Sequence, residues 1–182
     1  MTDCDPNATG PNLYLVGFMA SGKSTAGRNA ARNLGYAFID SDQAIEEAAG
    51  KTIKEIFDEQ GEAAFRSKER EFMDSGHPST GCVVACGGGM VVPPGMAELV
   101  ASKGIAICLS STPETILSRT KGKTNRPLLN VADPERRIRE LLAEREPRYQ
   151  AVGNVISTDE RTMSEVTGHV LRVYRDACGK RG

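Results

Sequence analysis

The chain has 182 residues, with 23 Lys and Arg against 24 Asp and Glu and a formal net charge of −1. That length suits one domain able to bury about 70% of the surface its unfolded chain would expose. The charge balance argues against a general nucleic-acid binder, which carries a basic excess, and no apolar run approaches the ~18 residues that span a bilayer.

Residues 1–10 are acidic and turn-rich, without the basic and apolar regions of a secretory signal, so a soluble cytoplasmic protein is expected. The five cysteines, Cys4, Cys82, Cys86, Cys108 and Cys178, contain no C-x-x-C pair, and three lie inside apolar runs. Neither a disulfide framework nor a zinc site is expected from that spacing.

Short apolar runs alternate with amphipathic segments, the pattern of a parallel sheet covered by helices on both faces. The first strand is predicted over residues 13–16, and Gly17-Phe18-Met19-Ala20-Ser21-Gly22-Lys23-Ser24 follows it directly. This fits G-x-x-x-x-G-K-[ST] at every fixed position, between a strand and a helix, where a phosphate-binding loop belongs. Glycines let the backbone wrap an anion with its N–H groups, and the helix N-terminus adds unpaired donors and a favourable dipole. Lys23 supplies an ammonium for the β- and γ-phosphates, and the Ser24 hydroxyl is a ligand for Mg²⁺.

Ala26, Ala30 and Leu34 share one face of the following helix, which Gly35 stops. A second strand is predicted over 37–39, and Asp40 and Asp42 follow it at alternating positions of an extended segment. Carboxylates there stand at the ligand-binding edge of a parallel sheet. They either handle Mg²⁺ and a hydroxyl proton, or Asp42 only caps a helix over 43–49. Thr52 and Glu55 form a capping box before Ile56 and Phe57, and Phe65, Phe72 and Met73 give a helix over 62–75 its core face. Arg66 interrupts that face, and either snorkels to solvent or serves a site.

A third strand over 82–86 runs into Gly87, Gly88 and Gly89, which form either a wide turn or a place where something approaches the backbone closely. A fourth strand is expected over 105–109, and Thr112 caps a helix that opens with Pro113. Residues 121–127 are basic and turn-forming, either a solvated connection or a lid, and Arg126 within them could swing onto a γ-phosphate. Asp133 and Pro134 start a helix rich in Glu and Arg that carries Arg145 near its end, where a cation also suits the helix dipole. A fifth strand over 154–157 and a helix capped by Thr162 and Glu165, with Val166, Val170 and Val173 inward, complete the chain.

Taken together, these residues resemble the shikimate kinase family over about residues 13–173. The resemblance rests on residues 17–25, Phe38-Ile39-Asp40-Ser41-Asp42, Gly61-Glu62-Ala63-Ala64-Phe65-Arg66, the glycine triplet, Arg126-Pro127-Leu128-Leu129 and Arg145-Glu146-Pro147-Arg148-Tyr149. It implies an α/β P-loop fold of the nucleoside-monophosphate-kinase type, a three-layer sandwich with a five-stranded parallel sheet and a mobile lid. It implies one kinase domain over 11–178, with a substrate-binding region about 41–75, a lid about 120–132, and flexible ends at 1–10 and 179–182.

The implied reaction moves the γ-phosphate of MgATP to the 3-hydroxyl of shikimate, in aromatic amino-acid biosynthesis. Gly17, Ala20, Ser21, Gly22, Lys23, Ser24 and Thr25 would bind the nucleotide, with Ser24 on Mg²⁺ directly and Asp40 through water. Asp42 would hold the shikimate hydroxyls and act as base. Arg66 and Arg145 would pair with the carboxylate, and Gly87, Gly88 and Gly89 would contact the ring. Arg126 matches a lid arginine that reaches both phosphate and substrate, Arg119 one that lies against adenine, and Arg161 falls in the adenine loop.

Three positions depart from the family pattern: Cys86 where Thr is usual, Arg148 where Leu is usual, and Ser157 where Asp is frequent. The alternatives are a related kinase of another small hydroxylated metabolite, such as homoserine or gluconate, or a non-catalytic nucleotide-binding regulator. Lys23, Asp42 and Arg126, which such a regulator would be expected to lose, are all present. A monomer acting on a small molecule, without nucleic acid or membrane, is expected.

Overall fold

Five short apolar segments pair in parallel: β1 (Asn12–Val16), β2 (Ala37–Asp40), β3 (Cys82–Ala85), β4 (Gly104–Ser110) and β5 (Val155–Ser157). The computed structural model describes residues 10–121, 131 and 133–180. The strand order is β2-β3-β1-β4-β5, so β1 lies in the middle, between β3 and β4. Leu13 pairs with Val83 on one side and Ile105 on the other, and Leu15 with Ala85 and Ile107.

Side chains along each strand alternate between two cores. On one face, Leu13, Leu15, Val83 and Ile107 pack on Ala26 and Ala30 of α1 (Lys23–Leu34) and on Val166 and Val170 of α7 (Met163–Gly179). On the other, Tyr14, Val16, Val84 and Cys108 meet five helices: α2 (Ser41–Ala49), α3 (Ile53–Ser75), α4 (Met96–Lys103), α5 (Pro113–Thr120) and α6 (Pro134–Gln150). Burial on both faces explains why β1 and β3 are apolar without an in-and-out polar alternation. Among the described residues, no helix is long and apolar enough to cross a membrane, and Cys86, Cys108 and Cys178 are free thiols.

The predicted helix boundaries are present with their caps. Thr52 and Thr162 each form a full capping box, Thr112 and Asp133 cap helices that open with proline, and Gly35 ends α1 in the left-handed region. Three features differ from expectation. The two helices expected around Gly61 form one element broken only at that glycine, whose φ of 80° and open surroundings make conformation, not space, the requirement. Helix α4 had no sequence signal, because it is short and its N-cap is Gly95, which offers no side-chain oxygen.

The third difference concerns the carboxylates. Helix α2 runs Ser41–Ala49, and it is Asp40 that caps it, accepting from the Asp42 N–H at 3.2 Å. Asp42 therefore sits in the first helical turn and is not a strand alternate of Asp40. Asp40 gains the cap because its own backbone is still extended.

At the opposite end of β1, a buried polar network ties the strand to the end of α3. Fully buried Asn12 accepts from Cys82 N–H at 2.8 Å and donates to Tyr14 Oη, and Tyr14 lies 2.7 Å from His77 Nε2. His77 Nδ1 lies 3.0 Å from the Phe72 carbonyl, which can only accept, so Nε2 is left to accept the tyrosine proton. Burial holds His77 below its ordinary 6.5, partly offset by the Phe72 carbonyl. Neutral imidazole is thus favoured in the folded state. Its contribution to stability is complete above about pH 6.5 and is lost as the pH falls below that value toward the lowered folded pKa. His77→Leu should cost about 1 kcal/mol or more near pH 7.5. Urea titrations should show the gap between wild type and variant narrowing as the pH drops to 5.5.

Candidate functional site

The phosphate loop leaves the carboxyl end of β1 and enters α1. Gly17 has φ 133°, and a Cβ there would strike the Leu109 carbonyl. Gly22, at φ 97°, is the N-cap of α1. Ala20 also takes a left-handed conformation, with φ 60°. Lys23 opens α1 and is largely buried, and its Nζ donates to the Gly17 and Phe18 carbonyls, each at 2.8 Å. The Ser24 hydroxyl donates to Asp40 Oδ2 at 3.0 Å, so the two residues expected to serve a metal already touch.

A cavity of about 510 Å³ opens here, lined by Met19, Ala20, Gly22, Lys23, Ser24, Thr25, Asp40, Asp42, Cys86, Gly87, Gly88, Arg119 and Met163. Gly17 and Ser21 are not among its lining. Ser21 is fully buried behind the loop, and its Oγ has no hydrogen-bond partner among the described residues. Arg66, Gly89, Arg145 and Arg161 are not among the lining either; Arg161 is exposed and donates to the Ser157 carbonyl at 2.7 Å. Arg126 lies outside the described residues.

The glycine triplet joins the loop to the remaining predicted groups. A side chain at Gly87 would collide with the Asp42 carboxylate, and one at Gly89 would come within 2.6 Å of Arg66 Nη1. One at Gly88 would rest 3.4 Å from the Met19 backbone nitrogen. The close approach inferred from three adjacent glycines is therefore real, and each glycine faces a different part of the site. The triplet is pinned as well: Gly87 N–H donates to the buried Ser41 hydroxyl at 2.8 Å, and Tyr149 Oη donates to the Gly88 carbonyl at 2.6 Å.

Arg66 does not snorkel. Its Nη1 donates to Glu69 at 2.6 Å, and its Nε and Nη2 donate to Glu62 at 3.2 and 2.8 Å. Glu69 is 1% exposed. Burial raises its pKa against the lowering effect of Arg66, and the nearby Asp42 charge raises it further. Burial alone would lower Arg66, but its two carboxylates more than offset that and the net shift is upward.

Arg145 stands one helical turn before Tyr149 on α6, and its Nε is buried without a hydrogen-bond partner among the described residues. Burial pushes the Tyr149 hydroxyl up to about 12, while the nearby Arg145 and Arg66 charges pull the other way. Both arginines therefore act on a tyrosine that holds the triplet.

Glu69, Tyr149, Ser41 and Met163 were not singled out by sequence reasoning. The i, i+3 spacing of Arg66 and Glu69 and the i, i+4 spacing of Arg145 and Tyr149 were available signals for two of them.

Among the described residues, no group of three or more His, Cys, Asp and Glu could hold a metal ion. Mg²⁺ bound together with a nucleotide needs only one or two protein oxygens, since phosphates and water complete its shell. The Ser24–Asp40 pair fits that requirement.

A central P-loop on a parallel sheet, with carboxylates and cations gathered at the same rim, defines a P-loop phosphotransferase of the nucleoside-monophosphate-kinase type. The chain belongs to the shikimate kinase family, whose model matches residues 19–175. A shikimate kinase of Caldanaerobacter subterraneus subsp. tengcongensis is 40% identical over 163 residues, covering 90% of this chain and 95% of that protein. That of Halorhodospira halophila is 46% identical over 148 residues, covering 81% and 84%. The structure of shikimate kinase from Acinetobacter baumannii in complex with shikimate has a TM-score of 0.84 at 36% identity, covering 93% of this chain and 96% of that one. A gluconokinase from Sinorhizobium meliloti 1021, at 14% identity and a TM-score of 0.60 over 95% of both chains, shares the fold alone.

Tyr149→Phe removes the donor to the Gly88 carbonyl and should lower stability by about 1–2 kcal/mol. Urea unfolding checks this, and an unchanged midpoint would contradict the pinning role.

Proposed function

We propose that this chain transfers the γ-phosphate of ATP to the 3-hydroxyl of shikimate, giving shikimate 3-phosphate and ADP. One observation carries the reading. The triplet Gly87, Gly88 and Gly89 faces Asp42, the phosphate loop and Arg66 in turn, so a small acid lying beside it would meet a carboxylate, a triphosphate and a guanidinium.

Lys23 and the loop N–H groups bind the phosphate tail, with Gly17, Ala20, Ser21, Gly22, Ser24 and Thr25 shaping or lining its cradle. Arg119 and Arg161 serve the base side. Ser24 and Asp40 would hold Mg²⁺, which supplies neutralisation of charge between the β- and γ-phosphates when bound.

Arg66 and Arg145 grip the acid's carboxylate, a match of planar donors to planar acceptor that selects against neutral polyols. Asp42 orients the hydroxyl and takes its proton as the oxygen bonds to the γ-phosphorus and the bond to the ADP oxygen breaks. Gly87, Gly88 and Gly89 give the ring room to lie against backbone. Arg126 closes the phosphate side and stabilises the charge of the transferring group. We place the chain in the cytoplasm as a monomer.

An assay coupling ADP release to NADH oxidation, run with shikimate, homoserine and gluconate, tests the assignment. Shikimate should give the highest kcat/KM, and a higher value for either competitor would overturn it. Lys23→Ala and Asp42→Ala should each lower kcat about 10²–10⁴-fold while the melting temperature stays near that of the wild type. Arg66→Ala should raise the KM for shikimate about 10-fold or more, the cost of a lost charge-assisted pair, and leave the KM for ATP unchanged. Normal shikimate affinity in that variant would sink the carboxylate assignment.

A further inference from the structure

Arg119 sits in the last turn of α5, yet its guanidinium is engaged by three other parts of the fold. Nη1 donates to Thr158 Oγ1 at 2.9 Å, to Ser111 Oγ at 3.2 Å and to the Ala20 carbonyl at 3.2 Å, and Nη2 donates to the Thr158 carbonyl at 3.0 Å. Thr158 is itself immobile: it is fully buried, its N–H donates to the Ser110 carbonyl at 2.9 Å, and its hydroxyl lies 2.6 Å from that of Ser111. Arg119 therefore hangs from the edge of the sheet and reaches, 99 positions back along the chain, into the phosphate loop.

The carbonyl it reaches belongs to Ala20, one of two non-glycine residues with positive φ among the described residues. L residues adopt that conformation against a steric cost and hold it only where the surroundings impose it. The other end of the same peptide group is held too, since the Ser21 N–H donates to the Phe18 carbonyl at 3.3 Å. The Ala20–Ser21 peptide, one before that leading into Gly22 and Lys23, is thus fixed at both ends, and its oxygen is turned toward Arg119.

We propose that Arg119 is a positioning residue for the phosphate loop. By holding the Ala20 carbonyl it keeps the loop in the shape that accepts a polyphosphate, whatever base is attached. This rests on the reading that the loop binds the phosphates of ATP, and it adds to the base-side role of Arg119 an effect that needs no base.

Inorganic tripolyphosphate, which has no base, separates the two. Binding of tripolyphosphate, ATP and shikimate is measured by calorimetry for wild type, Arg119→Ala and Arg119→Lys, with thermal melting to confirm folding. Arg119→Ala should weaken tripolyphosphate and ATP alike, about 10-fold. Arg119→Lys keeps the charge but cannot reach Ala20, Ser111 and Thr158 together, so it should weaken tripolyphosphate within about threefold of the alanine variant. Shikimate affinity should stay within about twofold in both.

The proposal is overturned if Arg119→Ala loses affinity for ATP but not tripolyphosphate, since the residue then serves only the base. It is overturned equally if the lysine variant binds tripolyphosphate like wild type, since charge alone then suffices, or if shikimate affinity falls in parallel, since the loss is then general. Wild-type protein that binds neither polyphosphate would overturn the phosphate-loop reading itself, and the proposal with it.

Discussion

The parallel pairing of β1 with β3 is the constraint on which the site depends. Leu15 pairs with Ala85, and one residue later the Cys86 N–H still donates to the Leu15 carbonyl at 2.9 Å. The two strands therefore run out at the same height, and the phosphate loop and the glycine triplet emerge side by side. Neither segment could reach the other if the strands were separated by another or shifted by a few residues, because each residue of register moves a strand end by about 3.3 Å. β2 pairs with β3 on its other side, Asp40 opposite Ala85, which brings the Asp40–Asp42 corner to the same edge. A ligand cavity at the carboxyl ends of parallel strands, where the chain switches from one side of β1 to the other, follows from that order.

Charge at this rim is arranged by burial as much as by pairing. Glu69 is nearly inaccessible and carries one ion pair, and its second oxygen is buried without a hydrogen-bond partner among the described residues. Such an arrangement is costly in stability, because desolvation offsets much of the attraction. What it supplies is direction. Glu62 and Glu69 engage the two sides of the Arg66 guanidinium, while its Nη1 and Nη2 come closest to the space beside Gly89. Arg145, on α6, contributes a buried Nε without a hydrogen-bond partner among the described residues. An acid reaching Arg66 would meet donors whose rotamer entropy has already been lost on folding, which is how a site gains affinity without new contacts.

Much of this was legible in the sequence, and the exceptions share a cause. The five strands and the capped helices follow from local patterns: apolar runs for strands buried on both faces, Thr with Glu three residues on, proline after a capping residue. The phosphate loop is legible because its chemistry needs consecutive residues. Arg66 and Arg145 were ambiguous from residues alone, since a cation on a helix looks alike whether it faces water or a ligand, and the family resemblance decided the reading. Helix α4 escaped because a glycine N-cap leaves no side-chain signal. Ser41 escaped because its partner lies 46 positions away and is a backbone group; Tyr149 could have been marked by its spacing from Arg145, but its bond to the Gly88 carbonyl, 61 positions away, could not. The Asp40–Asp42 pair was placed on an extended segment, whereas the cap formed by Asp40 turns the chain into α2 one residue after β2 ends.

The three departures from the family pattern can now be judged by where they sit. Cys86 lines the cavity but is 1% exposed; burial pushes its thiol far above the ordinary range, with Asp42, Glu69 and Asp40 adding to the shift against Lys23. It is a protonated small hydrophobe there, and a poor nucleophile. Arg148 points away from the site by its helical position: it is exposed, whereas Arg145 and Tyr149, three residues before it and one after, are partly and fully buried. A leucine at that place would face water in this chain. Ser157 stands at the end of β5, where its hydroxyl lies 3.2 Å from the Asp159 carboxylate and its carbonyl accepts from Arg161. Asp159 in turn accepts from the Thr112 N–H at 3.1 Å, which ties the residues after β5 to the start of α5. Because Arg119 leaves that same helix to hold both Thr158 and the Ala20 carbonyl, the turn after β5 and the phosphate loop share one hydrogen-bonded frame, and the Ser157 side chain takes no part in those bonds.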